Sequence, residues 1–201
     1  MQNAIRDAKV ALRDRVRDEL KRMGPGERTA ASAQARALLA AQARWQAARS
    51  VLSYAPMPEE LDVWPLLFEA LSAGKKISLP RFVAETRAYE ACEILHPETD
   101  LQVGHFGIRE PGSRCARLRS SRVDLILVPG VAFDLQGHRL GRGRGYYDQL
   151  LRVLRGTTCG VAFDQQIASE IPVEPHDVRL DCILTPTRWI EQKAWKANWG
   201  Q

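Results

Sequence analysis

The sequence predicts an α/β protein, a mostly parallel sheet with a helical N-terminal segment, in a single domain over residues 1–201. Three observations predict it. Short apolar runs such as LILV at 125–128 suit strands covered on both faces. These runs alternate with helix-period segments, the order that gives parallel strands joined by right-handed crossovers. The pentapeptide GVAFD occurs at 130–134 and again at 160–164, each time at the end of a strand and followed by polar residues. Two similar loops are thereby expected at the carboxyl edge of the sheet, where open α/β sheets bind ligands.

Each element has its own reason. Residues 3–22 carry Ile5, Leu12, Val16 and Leu20 on one helical face. GPG at 24–26 ends that helix, and the Ala-rich run 27–48 predicts a second one. SVLSYAP is a strand ending at Pro56. Asp62 is positioned to cap a helix over 63–73, with Pro65 in its first turn and Gly74 at its end. KKISLP predicts a short strand; within 82–120 only RAYEACEIL suggests another. VDLILVPG (123–130) is the clearest buried strand. Tyr146–Arg155 predicts a helix closed by Gly156, and TTCGVAF (157–163) and DCILTP (181–186) the last strands.

Composition narrows the class. Hydrophobic residues make up 45% and charged residues 26% of the 201, enough to bury a core. No apolar run approaches the roughly 20 residues of a membrane helix, and the charge-alternating N-terminus does not resemble a signal peptide. Cys92, Cys115, Cys159 and Cys182 are scattered without a CxxC pair, which points to a reducing cytoplasm. The net charge of +5 is concentrated in residues 1–22, 109–122 and 136–155. Such concentration favours an anionic partner, a nucleotide triphosphate or a nucleic acid.

The most informative stretch is RLGRGRGYYD, Arg139 to Asp148. Gly141, Gly143 and Gly145 let backbone N–H groups approach a phosphate and allow positive φ. The helix that follows offers free N–H groups and partial positive charge. Arg142 and Arg144 can fork onto phosphate oxygens, with Arg139 just upstream. The loop is therefore either a triphosphate cradle or a flexible glycine turn with solvated arginines. It is neither a Walker A motif nor a GxGxxG dinucleotide fingerprint. Tyr146 suits stacking on a planar ring, while Tyr147 suits that role or the core equally. Asp148 suits offsetting the helix macrodipole or holding Mg²⁺. Asp181, a charge at a strand start, is a second carboxylate candidate.

GVAFDLQGHRLGRGRGYYDQLL resembles the signature of the 5-formyltetrahydrofolate cyclo-ligase family. KVALR (9–13), EELD (59–62) after SYAPMP, LPR (79–81), FGIREP (106–111), GVAFDQQ (160–166) and HDVRLDCILTP (176–186) follow the family's order. The resemblance implies a Rossmann-like fold of the sugar-phosphate isomerase and CoA transferase type. It implies ATP- and Mg²⁺-dependent cyclisation of 5-formyltetrahydrofolate, with or without a polyglutamate tail, to 5,10-methenyltetrahydrofolate. By the same resemblance Lys9, Arg13, Arg139, Leu140 and Gly141 through Tyr147 line ATP. Glu60 and Arg142, Gly143, Arg144, Gly145 and Tyr146 border the folate. Arg142, Arg144 and Tyr146 serve catalysis, and Asp148 and Asp181 hold Mg²⁺. Many bacterial members have glycine where Arg144 stands; others have a basic residue there.

The resemblance also implies a cytoplasmic enzyme, expected as a monomer, with no nucleic-acid or membrane partner. His105, His138 and His176 receive no role and are expected in loops or at the surface. Two other readings differ in class. A sugar-phosphate isomerase or CoA transferase would release no ADP. A nucleic-acid module, motivated by the pI of about 9.2, would interleave aromatics with its basic stretches, which this chain does not.

Overall fold

The protein is described by a computed structural model covering residues 2–104, 107–174 and 177–192. The chain opens with α1 (Gln2–Lys21), α2 (Pro25–Ala40) and α3 (Ala43–Ala47), then β1 (Ser50–Leu52), α4 (Trp64–Ser72), β2 (Lys76–Val83) and β3 (Ala88–Ile94). A short α5 (Pro97–Asp100) leads to β4 (Leu101–Val103), β5 (Arg109–Pro111), β6 (Arg122–Val128), β7 (Ala132–Asp134) and β8 (Arg139–Leu140). There follow α6 (Tyr146–Val153), β9 (Arg155–Val161), a 3-10 turn (Asp164–Gln166), β10 (Ile167–Ala168), β11 (Cys182–Leu184) and β12 (Trp189–Glu191).

Among the described residues seven strands form the main sheet, in the order β12-β11-β9-β6-β1-β2-β3. The five inner strands are parallel, and β12 and β3 close the edges antiparallel. The expected mostly parallel sheet is present. Leu125 to Val128 are each at most 1% exposed, as a strand covered on both faces requires. On α1, Leu12, Val16 and Leu20 are buried and Ile5 half-buried, so the apolar face read from the sequence is the packed one. That face lies against β7 and the 3-10 turn.

The strand order places the ligand crevice. From β1 the chain goes to β2 on one side, then returns to lay β6 on the other. Connections leave β1 and β6 in opposite directions, and a gap opens beyond their carboxyl ends. The repeated GVAFD builds one rim of it. Gln166, 4% exposed, donates to the carbonyls of Gly130 (2.8 Å) and Val131 (3.1 Å) in the first copy. Its Oε1 accepts the Phe163 N–H of the second copy at 2.8 Å.

Local details depart from the sequence reading. The helix expected over 27–48 is two, α2 and α3, broken at Ala41–Gln42. The break lets Trp45 bury to 5% exposure, and the Lys75 ammonium caps the carbonyls of Trp45 (3.0 Å), Gln46 (3.2 Å) and Ala48. Val63, not Asp62, is the N-cap of α4, though the Asp62 carboxylate accepts the Trp64 N–H at 3.0 Å. The strand KKISLP extends to Val83 and pairs along its length with β3. His138 joins the β7–β8 turn, its Nδ1 2.9 Å from Asp134 Oδ2; His105 and His176 lie outside the described residues.

Gly156 does not close α6; it lies in β9. Helix α6 ends at Val153, and the chain enters the sheet without a loop. A Cβ on Gly156 would come within 1.8 Å of the Val123 carbonyl oxygen in β6. The obstacle is backbone, so relief requires the strands to part. Gly156→Ala is expected to lose roughly 3 kcal/mol of stability or more. A urea midpoint within error of wild type would show that β6 and β9 are not held this close.

Candidate active site

The crevice is a cavity of about 580 Å³, within the usual range for small-molecule sites. Tyr54 and Ala55 after β1, Pro80 of β2, and Pro129 and Gly130 after β6 lie along the strand ends. Lys9 and Arg13 reach it from α1, and residues 139–148 enclose it as the loop between β8 and α6. Two basic segments distant in sequence, the first helix and the glycine loop, thus meet on one cavity.

The loop's geometry follows from its glycines. Gly143 and Gly145 sit at φ +99° and +69°, in the left-handed region that side chains resist. Gly145 is the N-cap of α6 and offers no side-chain cap. The first turn of α6 thus starts without a side-chain cap from its N-cap residue, at a loop that lines the cavity. The Gly141 carbonyl accepts the Arg13 Nε at 2.9 Å, which ties α1 to the loop. Burial, and then the Arg17 charge, lower the Arg13 pKa below its ordinary value. Leu140, 1% exposed, anchors the loop's first end by pairing with Ala132.

Three of the cations here have carboxylate partners. Lys9 Nζ lies 2.7 Å from Glu174 Oε2 and 2.9 Å from Asp177 Oδ2. Burial opposes its charge, but hydrogen bonds and attraction from both acids raise its pKa. Arg142 reaches Glu60 at 3.0 Å and Glu59 at 3.3 Å. Burial would lower its pKa as well, and the Glu60 charge turns the shift upward. Arg139, with a side chain 3% exposed, holds Asp148 at 2.5 Å and lies 6.0 Å from the Tyr147 ring centroid. Arg144 lines the cavity from the exposed tip of the loop.

Aromatic rings form a patch on the cavity wall. Tyr146 lies 5.3 Å from Phe82 and 5.6 Å from Tyr89, between ring centroids. Tyr147 also meets Tyr89, at 5.6 Å, and packs against both core clusters. Tyr146 faces the cavity while Tyr147 joins cavity and core. Burial, followed by the nearby Glu110 charge, pushes the Tyr89 pKa up to about 12.

Every site residue named from the sequence lines this cavity except Asp181. Asp181 stands at the amino end of β11, away from the strand ends that form the crevice. Its carboxylate accepts the N–H and the hydroxyl of Thr158, both at 2.8 Å. The expected pairing of Asp148 with Asp181 is therefore not formed. A charge before a strand can serve either edge of a sheet, and sequence does not say which. Conversely, Tyr54, Tyr89, Glu110, Glu174 and Asp177 line the cavity without having been singled out. Glu110 lies within the FGIREP stretch, a place in the pattern but no chemical hint; Phe106 of that stretch lies outside the described residues.

A model of the 5-formyltetrahydrofolate cyclo-ligase family matches residues 5–186. The chain belongs to the 5-formyltetrahydrofolate cyclo-ligase family. It is an enzyme of the ligase class by that membership. The 5-formyltetrahydrofolate cyclo-ligase of Mus musculus is 28% identical over 90% of this chain and 94% of its own. That of Mycolicibacterium smegmatis is 37% identical over 71% of this chain and 76% of its own. The NMR structure of Aquifex aeolicus 5,10-methenyltetrahydrofolate synthetase superposes with a TM-score of 0.83 at 33% identity, covering 94% of this chain and 95% of that one.

Asp148 and Asp181 should separate in stability. Removing Asp148 leaves the Arg139 charge buried, and Asp148→Ala is expected to cost roughly 3 kcal/mol. Asp181→Ala loses only hydrogen bonds to Thr158, about 1 kcal/mol. Equal small losses in urea titrations would mean that Asp148 does not hold Arg139.

Proposed function

We propose that the chain uses ATP to cyclise 5-formyltetrahydrofolate to 5,10-methenyltetrahydrofolate, releasing ADP and phosphate. The observation that carries this reading is the glycine-arginine loop: it runs into a helix start with no side-chain cap and is fastened to α1 by Arg13. A triphosphate laid there would meet backbone N–H groups, Arg13 and the loop arginines together. The aromatic patch beside it suits a flat pterin, with Tyr146 stacking on the ring. Rossmann-like folds bind nucleotides at such a reversal of strand order, and we read this sheet as of that type, akin to sugar-phosphate isomerases and CoA transferases. The four cysteines are free and buried, which suits a monomer working in a reducing cytoplasm.

The chemistry asks for placement and charge neutralisation. A formamide oxygen is a poor leaving group. Transfer of the γ-phosphoryl group onto that oxygen gives an imidate-like intermediate. N10 then attacks the formyl carbon, the carbon–oxygen bond breaks, phosphate departs and N10 gives up its proton. Arg142 and Arg144 would balance charge on the transferring group, and Arg13 with Lys9 would hold the phosphates. Glu60 would accept pterin N–H groups once Arg142 turns to the phosphate. Asp148 is a hard oxygen donor in the first turn of α6 and fits Mg²⁺, which takes one or two protein carboxylates. Bound there, Mg²⁺ would neutralise phosphate charge; Asp181, outside the cavity lining and bonded to Thr158, is left out of this reading.

Formation of the methenyl product, followed by absorbance with and without ATP, tests the reaction directly. Lys9→Ala and Arg13→Ala should each raise KM for ATP about tenfold or more, the loss of a charge-assisted hydrogen bond. Arg13→Ala should leave the folate KM near wild type. Unchanged ATP kinetics in both variants would remove α1 from the nucleotide site.

Gly143→Ala and Gly145→Ala test the backbone's part. In the protein without ligand, a Cβ at Gly143 meets only the Arg13 guanidinium, at 3.6 Å, and one at Gly145 meets nothing within 4 Å. Stability should fall by only about 1–2 kcal/mol, from positive-φ strain. Turnover and the ATP-induced rise in melting temperature should be lost, since that rise requires binding to the folded state. Wild-type turnover with a full ATP-induced rise would mean that the arginines alone hold the nucleotide.

A further inference from the structure

Glu110 is the buried acid that the cavity leaves half used. It lies in β5, is 6% exposed, and lines the cavity. Its Oε2 accepts the Phe82 N–H at 3.1 Å. Its Oε1 is buried and has no hydrogen-bond partner among the described residues. An ionised carboxylate oxygen left without a donor in such a place is costly. The chain makes room for it nonetheless: a Cβ on Gly104 would lie 2.3 Å from the Glu110 Cδ. The other carboxylate expected to meet substrate, Glu60, has both oxygens engaged, by Arg142 at 3.0 Å and by the Met57 N–H at 3.1 Å.

Glu110 also sits beside the rings. Phe82, whose N–H it accepts, lies 5.3 Å from Tyr146. The Glu110 charge is the largest charge acting on the Tyr89 phenol, after burial. A flat ligand against Tyr146 would thus bring its edge toward an unfilled acceptor. We propose that Glu110 Oε1 accepts a ring-edge N–H of the bound pterin and so selects ligands with a donor there. This rests on the folate reading above. An adenine amino group could offer similar chemistry, but the cradle for its phosphates lies on the α1 side of the cavity.

Glu110→Gln tests it, because the amide can keep its oxygen on the Phe82 N–H and turn an NH₂ toward the ligand. The position then changes from acceptor to donor while the structural bond remains. The dissociation constant of 5-formyltetrahydrofolate, measured by fluorescence quenching without ATP, should rise at least tenfold. The KM for ATP and the melting temperature of the free enzyme should stay at wild-type values. Wild-type enzyme should also bind a 2-desamino-2-methyl analogue more weakly than the natural ligand, and Glu110→Gln should erase that preference. Wild-type folate affinity in Glu110→Gln, or a raised KM for ATP with folate binding intact, would overturn the proposal. A wild-type enzyme that binds 5-formyltetrahydrofolate but forms no methenyl product would instead fail the reaction reading and leave the Glu110 comparison standing.

Discussion

A guanidinium buried beneath the glycine loop holds the site in shape. Arg139 donates to Asp148 in the first turn of α6 and toward the Pro129 carbonyl at 3.4 Å, just beyond β6. It thereby fixes both ends of a loop whose middle has little conformational preference of its own. Glycine at positive φ costs no steric strain, but it also loses much backbone entropy when ordered. Such a loop keeps one shape only if its ends are pinned. The Arg13 bond to Gly141 adds a third point, so the first helix of the chain is part of the site's frame. Arg139, read from the sequence beside the phosphate-binding arginines, has in this geometry a holding part.

The electrostatics of the cavity are those of cations kept waiting. Lys9, Arg139 and Arg142 each have carboxylate partners, so within the cavity these three cations are not bare positive charges. A phosphate must compete with Glu174 and Asp177 for Lys9, and with Glu59 and Glu60 for Arg142. Such competition lowers affinity for any single anion and favours a ligand that offers many phosphate oxygens together. In the proposed reaction it would also link the two substrates: with Arg142 drawn away from Glu60, that carboxylate would become an open acceptor. The same exchange that binds phosphate would prepare Glu60 for an N–H donor.

Much of this was legible in the sequence because local physics and tertiary structure agree there. LILV suited a covered strand and is one, and the face bearing Leu12 and Val16 is the packed side of α1. The glycine loop declared itself by composition. What stayed hidden depends on partners far away in the chain. Nothing in AQAR announces the break between α2 and α3; the burial of Trp45 and capping by Lys75 enforce it. Gly156 read as a helix stop because glycine often is one, and its true reason, the Val123 carbonyl, lies in another strand. Asp181 stood out because a charge at a strand start is unusual without a partner, and the resemblance made it a metal ligand; in the structure its carboxylate has Thr158 as a partner.

Glu110 shows why an acid's role cannot be read from its neighbours in the chain. In REP it is one charge between Arg109 and Pro111, indistinguishable from a solvated strand residue. In space Arg109 turns to the Trp64 ring, 5.1 Å away, and does not pair with it. The Glu110 side chain enters the space left by Gly104, and one oxygen is tied by the Phe82 N–H. A bond that fixes one oxygen also limits where the other points, so the buried, unpaired oxygen would pay little ordering entropy when a donor arrives. Glu60 is the opposite case, an acceptor that must first be released by its arginine. In the proposed reading the two carboxylates would divide the work: Glu110 holds its unpaired oxygen in place before any ligand enters, and Glu60 would be released only when a phosphate draws Arg142 away.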